Sequence, residues 1–293
     1  MTNPGAHIDA TEVSAVHPNL LDNAYFVGGG SQLGDGVFPI NQRGTTFYSL
    51  SYGNIFDRWH IQGSATSTCT LNSNGIAFAT STENCGLSQT IPQGRIVDGE
   101  TYTLSVMDTA GNIYSGSRVL NTNASWQNFN LGLSAFGWYN PCYVAANGQT
   151  NVYILDRTGS GGSASIGLAA AKLEKGTVST LANDVPPNFG EELAKCQRYL
   201  RYVSMKREFV YCDANYSAAA KTLTGIEMAS TPTNVWLVAA GGIFDSIAQT
   251  IVTPTSVSVL SFEQNTPTIQ YSAQTNTGIF LVVDSIIGLS CEI

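Results

Sequence analysis

Short alternating runs cut by glycine turns constrain this chain more than any other feature. "STCTL" and "GIAFA" are separated by Asn74-Gly75, and further turns follow at Asp98-Gly99, at "TAGN" (109–112) and at Asn147-Gly148. Asn-Gly and Asp-Gly between apolar alternations are hairpin signals, because both residues tolerate the positive φ that tight turns need. "TYTLSVMD" (101–108) and "NVYILD" (151–156) alternate as half-buried strands do. In "WQNFNLGL", Phe129, Leu131 and Leu133 keep that alternation while Trp126 is out of step with it. The glycine-rich "TGSGGSAS" (158–165) is a loop before a last strand, "IGLAAAKLE", so a first β domain is expected over residues 19–176, after a polar tether over 1–18.

One stretch breaks the pattern. "GEELAKCQRYLRYVSMKRE" (190–208) holds five of the thirteen basic residues and follows "TVSTLANDVPPNFG", whose prolines forbid helix and central strand alike. It predicts a helix. Asn188 is placed to cap it, with Glu191 three residues on, and Glu191 and Glu192 set negative charge at the positive helix end. Leu193, Cys196, Leu200 and Val203 form one apolar stripe with Tyr199 and Tyr202 just off it, and these six residues are the expected oligomer or domain junction. The β pattern resumes in "NVWLVAAGGIF", "TSVSVLSF" and "GIFLVVDSIIGLSCEI". The expected fold is therefore all-β: two β-sandwich domains, 19–176 and 209–293, joined through a junction and one short α-helix over 177–208.

Composition narrows the function. Charged residues are 12% of the chain and the formal net charge is −8, so phosphate neutralisation has little to work with and nucleic acid is excluded as a partner. The six scattered cysteines include no CxxC pair and read as reduced, mostly buried thiols; with three histidines they suggest no zinc site. The N-terminus lacks the basic and apolar regions of a secretory signal. The best apolar run, "GIFLVV" (278–283), is too short to span a bilayer, and no membrane insertion is expected.

Several segments together carry a resemblance. "NLLDNAYF", "NQRG", "DRW" (57–59), "TYTLSVMDTAGN", "SWQNFNLGLSA" and "SIGLAAAKLEKG" resemble the jelly-roll, carbohydrate-binding-like domain of phage and prophage tail proteins. "AKLEKGTVST" running into "PPNFGEELAKCQRYLRY" is similar to the junction of tail-fibre proteins, and "IEMASTPTNV" to their Met-x-x-x-Pro-Thr strand. The likeness spans 19–293. It implies jelly-roll-like sandwiches in a virion structural protein of tail-fibre or receptor-binding type, assembled in the host cytoplasm. Such a protein binds host-surface glycan without catalysis, is tethered to other virion proteins through its N-terminus, and forms a homo-oligomer, a trimer by the resemblance. Apolar runs generous for a small domain's own core point to self-association as well. The alternatives are a head-fibre or baseplate decoration protein, a glycan-processing enzyme, or an accessory carbohydrate-binding module.

Candidate site residues follow from chemistry. Glycoside cleavage needs paired carboxylates, but Asp98, Glu100, Asp108 and Asp156 stand at turns and strand ends, where acids commonly serve local structure. No catalytic residue is assigned, and no cofactor is expected, with a structural calcium among turn carboxylates left open. His60, Trp59 and Trp126 read as packed structural residues. In "AFGWYNPCY" (135–143), aromatic faces stand beside amides, a combination that suits a sugar ring's apolar face and hydroxyls. Trp138, Tyr139 and Asn140 are the glycan-binding candidates, with Arg118 and Asp156 as polar partners; the competing reading places these rings in the core.

Overall fold

The structure, a computed structural model, describes residues 17–29, 38–81, 85–122, 126–157, 163–205, 208–212, 218–222, 228–229, 231–239, 242–245, 250–252, 256–263, 266–272, 279–283 and 285–291. Beyond Arg201 the described side chains are those of residues 228–229, 231–236, 261, 268 and 288–291. Residues 1–16 of the tether expected over 1–18 and most of the glycine-rich loop, 158–162, lie outside the described residues. The protein is mostly β, with 49% of residues in strands and 8% helical. It divides into two units. The first comprises Met1–Pro39, Thr45–Ile55 and Trp59–Asn188; the second comprises Ile40–Gly44, Phe56–Arg58 and Phe189–Ile293.

The first unit holds strands β1 (Phe47–Asn54), β2 (His60–Asn72), β3 (Gly75–Thr80), β4 (Cys85–Ile91), β5 (Thr101–Asp108), β6 (Ile113–Val119), β7 (Gln127–Asn128), β8 (Pro141–Val144), β9 (Thr150–Arg157) and β10 (Ala164–Lys175). They form one antiparallel sheet in the order β6-β5-β10-β3-β2-β4-β9-β8-β7, with β1 on β2, nearly closed into a barrel. The predicted turns join neighbours, Asn74-Gly75 linking β2 to β3 and Asn147-Gly148 linking β8 to β9. The curl brings the two end strands together. Gly116 of β6 lies so close to the chain just past β7 that a Cβ there would sit 2.2 Å from the Phe129 carbonyl oxygen, a contact only glycine permits.

β4, β5, most of β9 and the second half of β10 are buried on both faces while β6 keeps no buried residue, and Trp59, Ile61, Phe78, Leu104, Val106, Trp138, Ile154 and Leu173 are all at most 1% exposed. Trp59 packs edge-on against Phe26 at 5.4 Å and donates its indole N–H to the Asn23 carbonyl at 2.8 Å. Ahead of β1, the N-terminal segment lies along β10. Asn19 donates to Ala171 O and accepts from Leu173 N, while Leu20 N and Phe26 N bond Leu173 O and Ala169 O. Past β10 the chain is pinned by a buried ionic cluster. Lys172, 1% exposed, donates to Thr180 Oγ1 at 2.8 Å and Asp184 Oδ1 at 2.6 Å and lies 3.7 Å from Glu174, which accepts from Thr180 N and Oγ1.

The second unit holds α1 (Phe189–Gln197), then β11 (Leu200–Met205), β12 (Glu208–Cys212), β13 (Ala218–Thr222), β14 (Asn234–Ala239), β15 (Gly242–Asp245), β16 (Thr250–Val252), β17 (Ser256–Glu263), β18 (Thr266–Ser272), β19 (Ile279–Val283) and β20 (Ser285–Ser290). Two antiparallel sheets result, one ordered β11-β20-β14 and one ordered β16-β15-β19-β12-β13-β18-β17. The helix expected over 190–208 is corrected: it ends at Gln197, and Leu200 to Met205 pair with Ser290 to Ser285. "LRYVSM" also alternates, and its aromatic and β-branched residues fit a sheet as well as the helical spacing fits a helix. A ladder of six partners decides for strand. Arg198 N and Tyr199 N bond Lys195 O and Cys196 O, so the last helical turn tightens to i→i−3 before the chain extends.

Cys196 and Leu200 are fully buried while Leu193 and Tyr199 are half-buried; the side chains of Tyr202 and Val203 lie outside the described residues. The stripe is thus split between a helix and a strand. Leu200 O accepts from Gln42 Nε2 at 2.7 Å, the same amide that donates to Asp57 Oδ2 at 2.6 Å, and the Arg58 guanidinium lies 3.6 Å over the Tyr199 ring.

Candidate ligand-binding cleft

A β-bulge builds the site in the first unit. Along β9, Leu155 faces Leu87 of β4 and Tyr153 faces Ser88, leaving Ile154 without a partner there. The extra residue shifts the alternation by one, so Tyr153 and Asp156 come to one face. Gly86 of β4, opposite Asp156, makes room for both: a Cβ on it would sit 2.4 Å from the Tyr153 ring and 3.0 Å from Asp156 Oδ1. Asn140 supports the bulge by donating its buried side-chain amide to the Ile154 carbonyl at 2.6 Å. Beside it Tyr139 and Asp156 exchange both backbone hydrogen bonds, at 2.7 and 2.8 Å.

Over this floor stands Trp126, 56% exposed, its ring 5.6 Å from Tyr153 and 5.5 Å from Tyr143. The resulting cleft has a volume of about 560 Å³. Trp126, Tyr139, Tyr153 and Pro141 give it apolar faces; Gln62, Asn128 and Asp156 give it amides and a carboxylate. Burial, and then the neighbouring Asp156 charge, push the Tyr153 phenol up to about 12 against the hydrogen bond from Asn151, so it remains a neutral hydroxyl at physiological pH. The surface that results suits a small polar ring compound: flat aromatic faces for stacking, with donors and acceptors around them.

The structure separates the predicted residues. Tyr139 and Asp156 line the cleft. Trp138 does not: it is 1% exposed, packed 5.7 Å from Phe78, and its expected place on an exposed face is corrected to core. Asn140, also 1% exposed, positions the bulge rather than meeting a ligand. Arg118 donates to the Asn128 carbonyl at 3.2 Å and is outside the lining. Trp126, expected in the core, is the exposed ring of the site. The signal that marks it is its position out of phase with Phe129, Leu131 and Leu133. Gln62 and Gly86 carry no motif and were missed.

The turn acids have local partners. Asp98 accepts from Thr122 N and Oγ1, Glu100 lies 3.0 Å from Lys175, and Asp108 accepts from Ala110 N and Asn112 N. His60, 8% exposed, lies 3.1 Å from Asn54 Oδ1 and edge-on to Tyr52. Cys69, Cys85, Cys142, Cys196 and Cys291 are buried free thiols, and burial pushes Cys69 and Cys142 up to about 12, Arg118 only partly opposing this at Cys142. Among the described residues no group of three His, Cys, Asp or Glu is arranged to hold a metal, and no helix is long and apolar enough to cross a membrane. No family model, curated protein or solved structure matches the chain.

Proposed function

We propose that this chain is a phage virion protein of receptor-binding type that holds a host-surface glycan in the Trp126 cleft and does not cleave it. The observation that carries the reading is an exposed tryptophan, braced by Tyr143 and Tyr153, over a cleft edged with amide groups and one acid. Free aromatic faces beside hydrogen-bonding groups are what sugar binding requires. The sequence likeness to phage tail proteins supports the rest: a homotrimer of two jelly-roll-like sandwich domains, joined through α1 and attached to the virion through the N-terminal tether. Binding without turnover is preferred because glycoside hydrolysis uses two carboxylates, and among the described lining residues Asp156 is the acid. One such site binding at ~1 mM supplies about −4 kcal/mol, and several copies on one particle raise apparent affinity by roughly 10²- to 10⁴-fold.

The test is a glycan array and a host-cell adsorption assay with the wild type and Trp126→Ala. Binding that falls at least about tenfold in a folded variant supports the cleft. Unchanged adsorption rejects it, and release of reducing ends from a bound glycan rejects the non-catalytic reading.

A further inference from the structure

Among the described lining residues of the cleft, Asp156 is the one acidic side chain and none is basic. The carboxylate is also close to a ring: Asp156 Oδ1 and two Tyr153 ring atoms all fall within 3.0 Å of the point a Gly86 Cβ would occupy. Trp126 stands 5.6 Å from that same ring. Aromatic faces are the negative ends of ring quadrupoles, so rings grouped beside a carboxylate attract a cation and repel an anion. The whole molecule has the same sign, at −8. Arg118, at the Asn128 backbone, directs its guanidinium to a carbonyl oxygen.

We infer that the cleft selects a sugar bearing a positively charged nitrogen, a hexosamine whose amine is free rather than acylated, over neutral and acidic sugars. The inference rests on the glycan-binding reading and sharpens it. In the bound state the ammonium lies between the Asp156 carboxylate and the exposed Trp126 ring, while Gln62 and Asn128, whose side-chain oxygens already accept from Asn151 Nδ2 and from Asn130 N and Asn140 N, offer their NH2 groups to ring hydroxyls. Acylation removes the charge and the preference with it. A uronic or sialic acid brings a second carboxylate to Asp156 and is excluded by like-charge repulsion.

The test uses the full chain, titrated with glucosamine, N-acetylglucosamine, glucose and glucuronic acid at a pH where the amine is protonated, followed by tryptophan fluorescence and by chemical-shift changes in the sugar. Glucosamine is expected to bind on the order of tenfold more tightly than N-acetylglucosamine, and glucuronic acid most weakly. Asp156→Asn, checked for folding by thermal melting, is expected to bring the ratio of the two amino sugars close to one. Trp126→Ala is expected to weaken both. Equal affinity for glucosamine and N-acetylglucosamine in the wild type overturns the charge selection and leaves the glycan reading standing. Failure of every sugar to bind, together with silence on the glycan array, overturns both.

Discussion

Tyr153 and Asp156 lie three residues apart on one β-strand and yet share a face of it, because Ile154 is bulged out of register with its neighbour and Asn140 takes up the bulged carbonyl. A regular strand would send the two side chains to opposite faces. The site therefore exists only as long as the bulge does.

Asn140→Ala removes the donor to that carbonyl while leaving every lining side chain in place. It is expected to cost about 1–3 kcal/mol, the penalty for a buried acceptor left unmet, and to weaken sugar binding although Asn140 lies outside the lining. Asn140→Asp, which cannot donate when ionised, is expected to do the same. Denaturant midpoints and sugar titration check this; a variant with full affinity and full stability would dissociate the bulge from the site.

Trp126 and Trp138 are expected to separate stability from binding. Trp138→Ala removes a ring that is 1% exposed and is expected to destabilise the first unit by about 3–5 kcal/mol. Trp126→Ala removes a ring that is 56% exposed and is expected to stay within about 1 kcal/mol of wild type. Thermal melts of the two variants side by side decide it, and the reverse ranking would mean the two rings are misassigned.

The Lys172 cluster yields a prediction about pairs. Lys172→Met leaves Glu174, which is fully buried, without its compensating charge and is expected to cost about 3–5 kcal/mol. Lys172→Met combined with Glu174→Leu is expected to cost less than the single change, because no uncompensated charge is then buried. Equilibrium denaturation of the single and double variants measures the difference.

Asp108 governs a small part of the acid response. Slight burial works to raise its pKa, but hydrogen bonds from Asn112, Ala110 and Tyr114 outweigh this and hold it below the ordinary carboxylate range. The folded protein thus binds this proton less readily than the unfolded chain does. Its stabilisation is present above the unfolded value of ~3.9 and is lost as pH falls through the folded value. Asp108 is half-buried at a surface turn where solvent screens its charge, so the effect is small. Asp108→Ala is expected to lower stability near neutrality by about 1 kcal/mol, with the gap from wild type closing in acid.

Local signals in the sequence located most strands of the first unit, because its hairpins announce themselves: Asn74-Gly75 and Asn147-Gly148 each join adjacent antiparallel strands. They did not locate the end of the helix. Leu193, Cys196, Leu200 and Val203 satisfy a helical spacing and "LRYVSM" satisfies strand alternation at the same time, and a six-residue partner far along the chain, Ser285–Ser290, settles the contest. Nor could the site be read whole. Tyr139 and Asp156 were among the candidates, but the bulge that aims Asp156 and the register that sets Gly86 against it are long-range facts with no local signature. Trp138 and Trp126 exchange their expected roles: the phase of Phe129, Leu131 and Leu133 marks Trp126 as exposed, whereas no neighbour in sequence marks Trp138, packed against Phe78, as core.

Asn19 finds its partner on Ala171, 152 residues further along the chain. At ordinary rates of synthesis that separation is on the order of ten seconds or more. Throughout that interval Leu21 and Phe26, each at most 2% exposed once folded, have nothing to pack against on β10. The first unit is consequently completed from its far end, and Leu21 and Phe26, among the first of its core residues to be made, are among the last to be sheltered from other nascent chains.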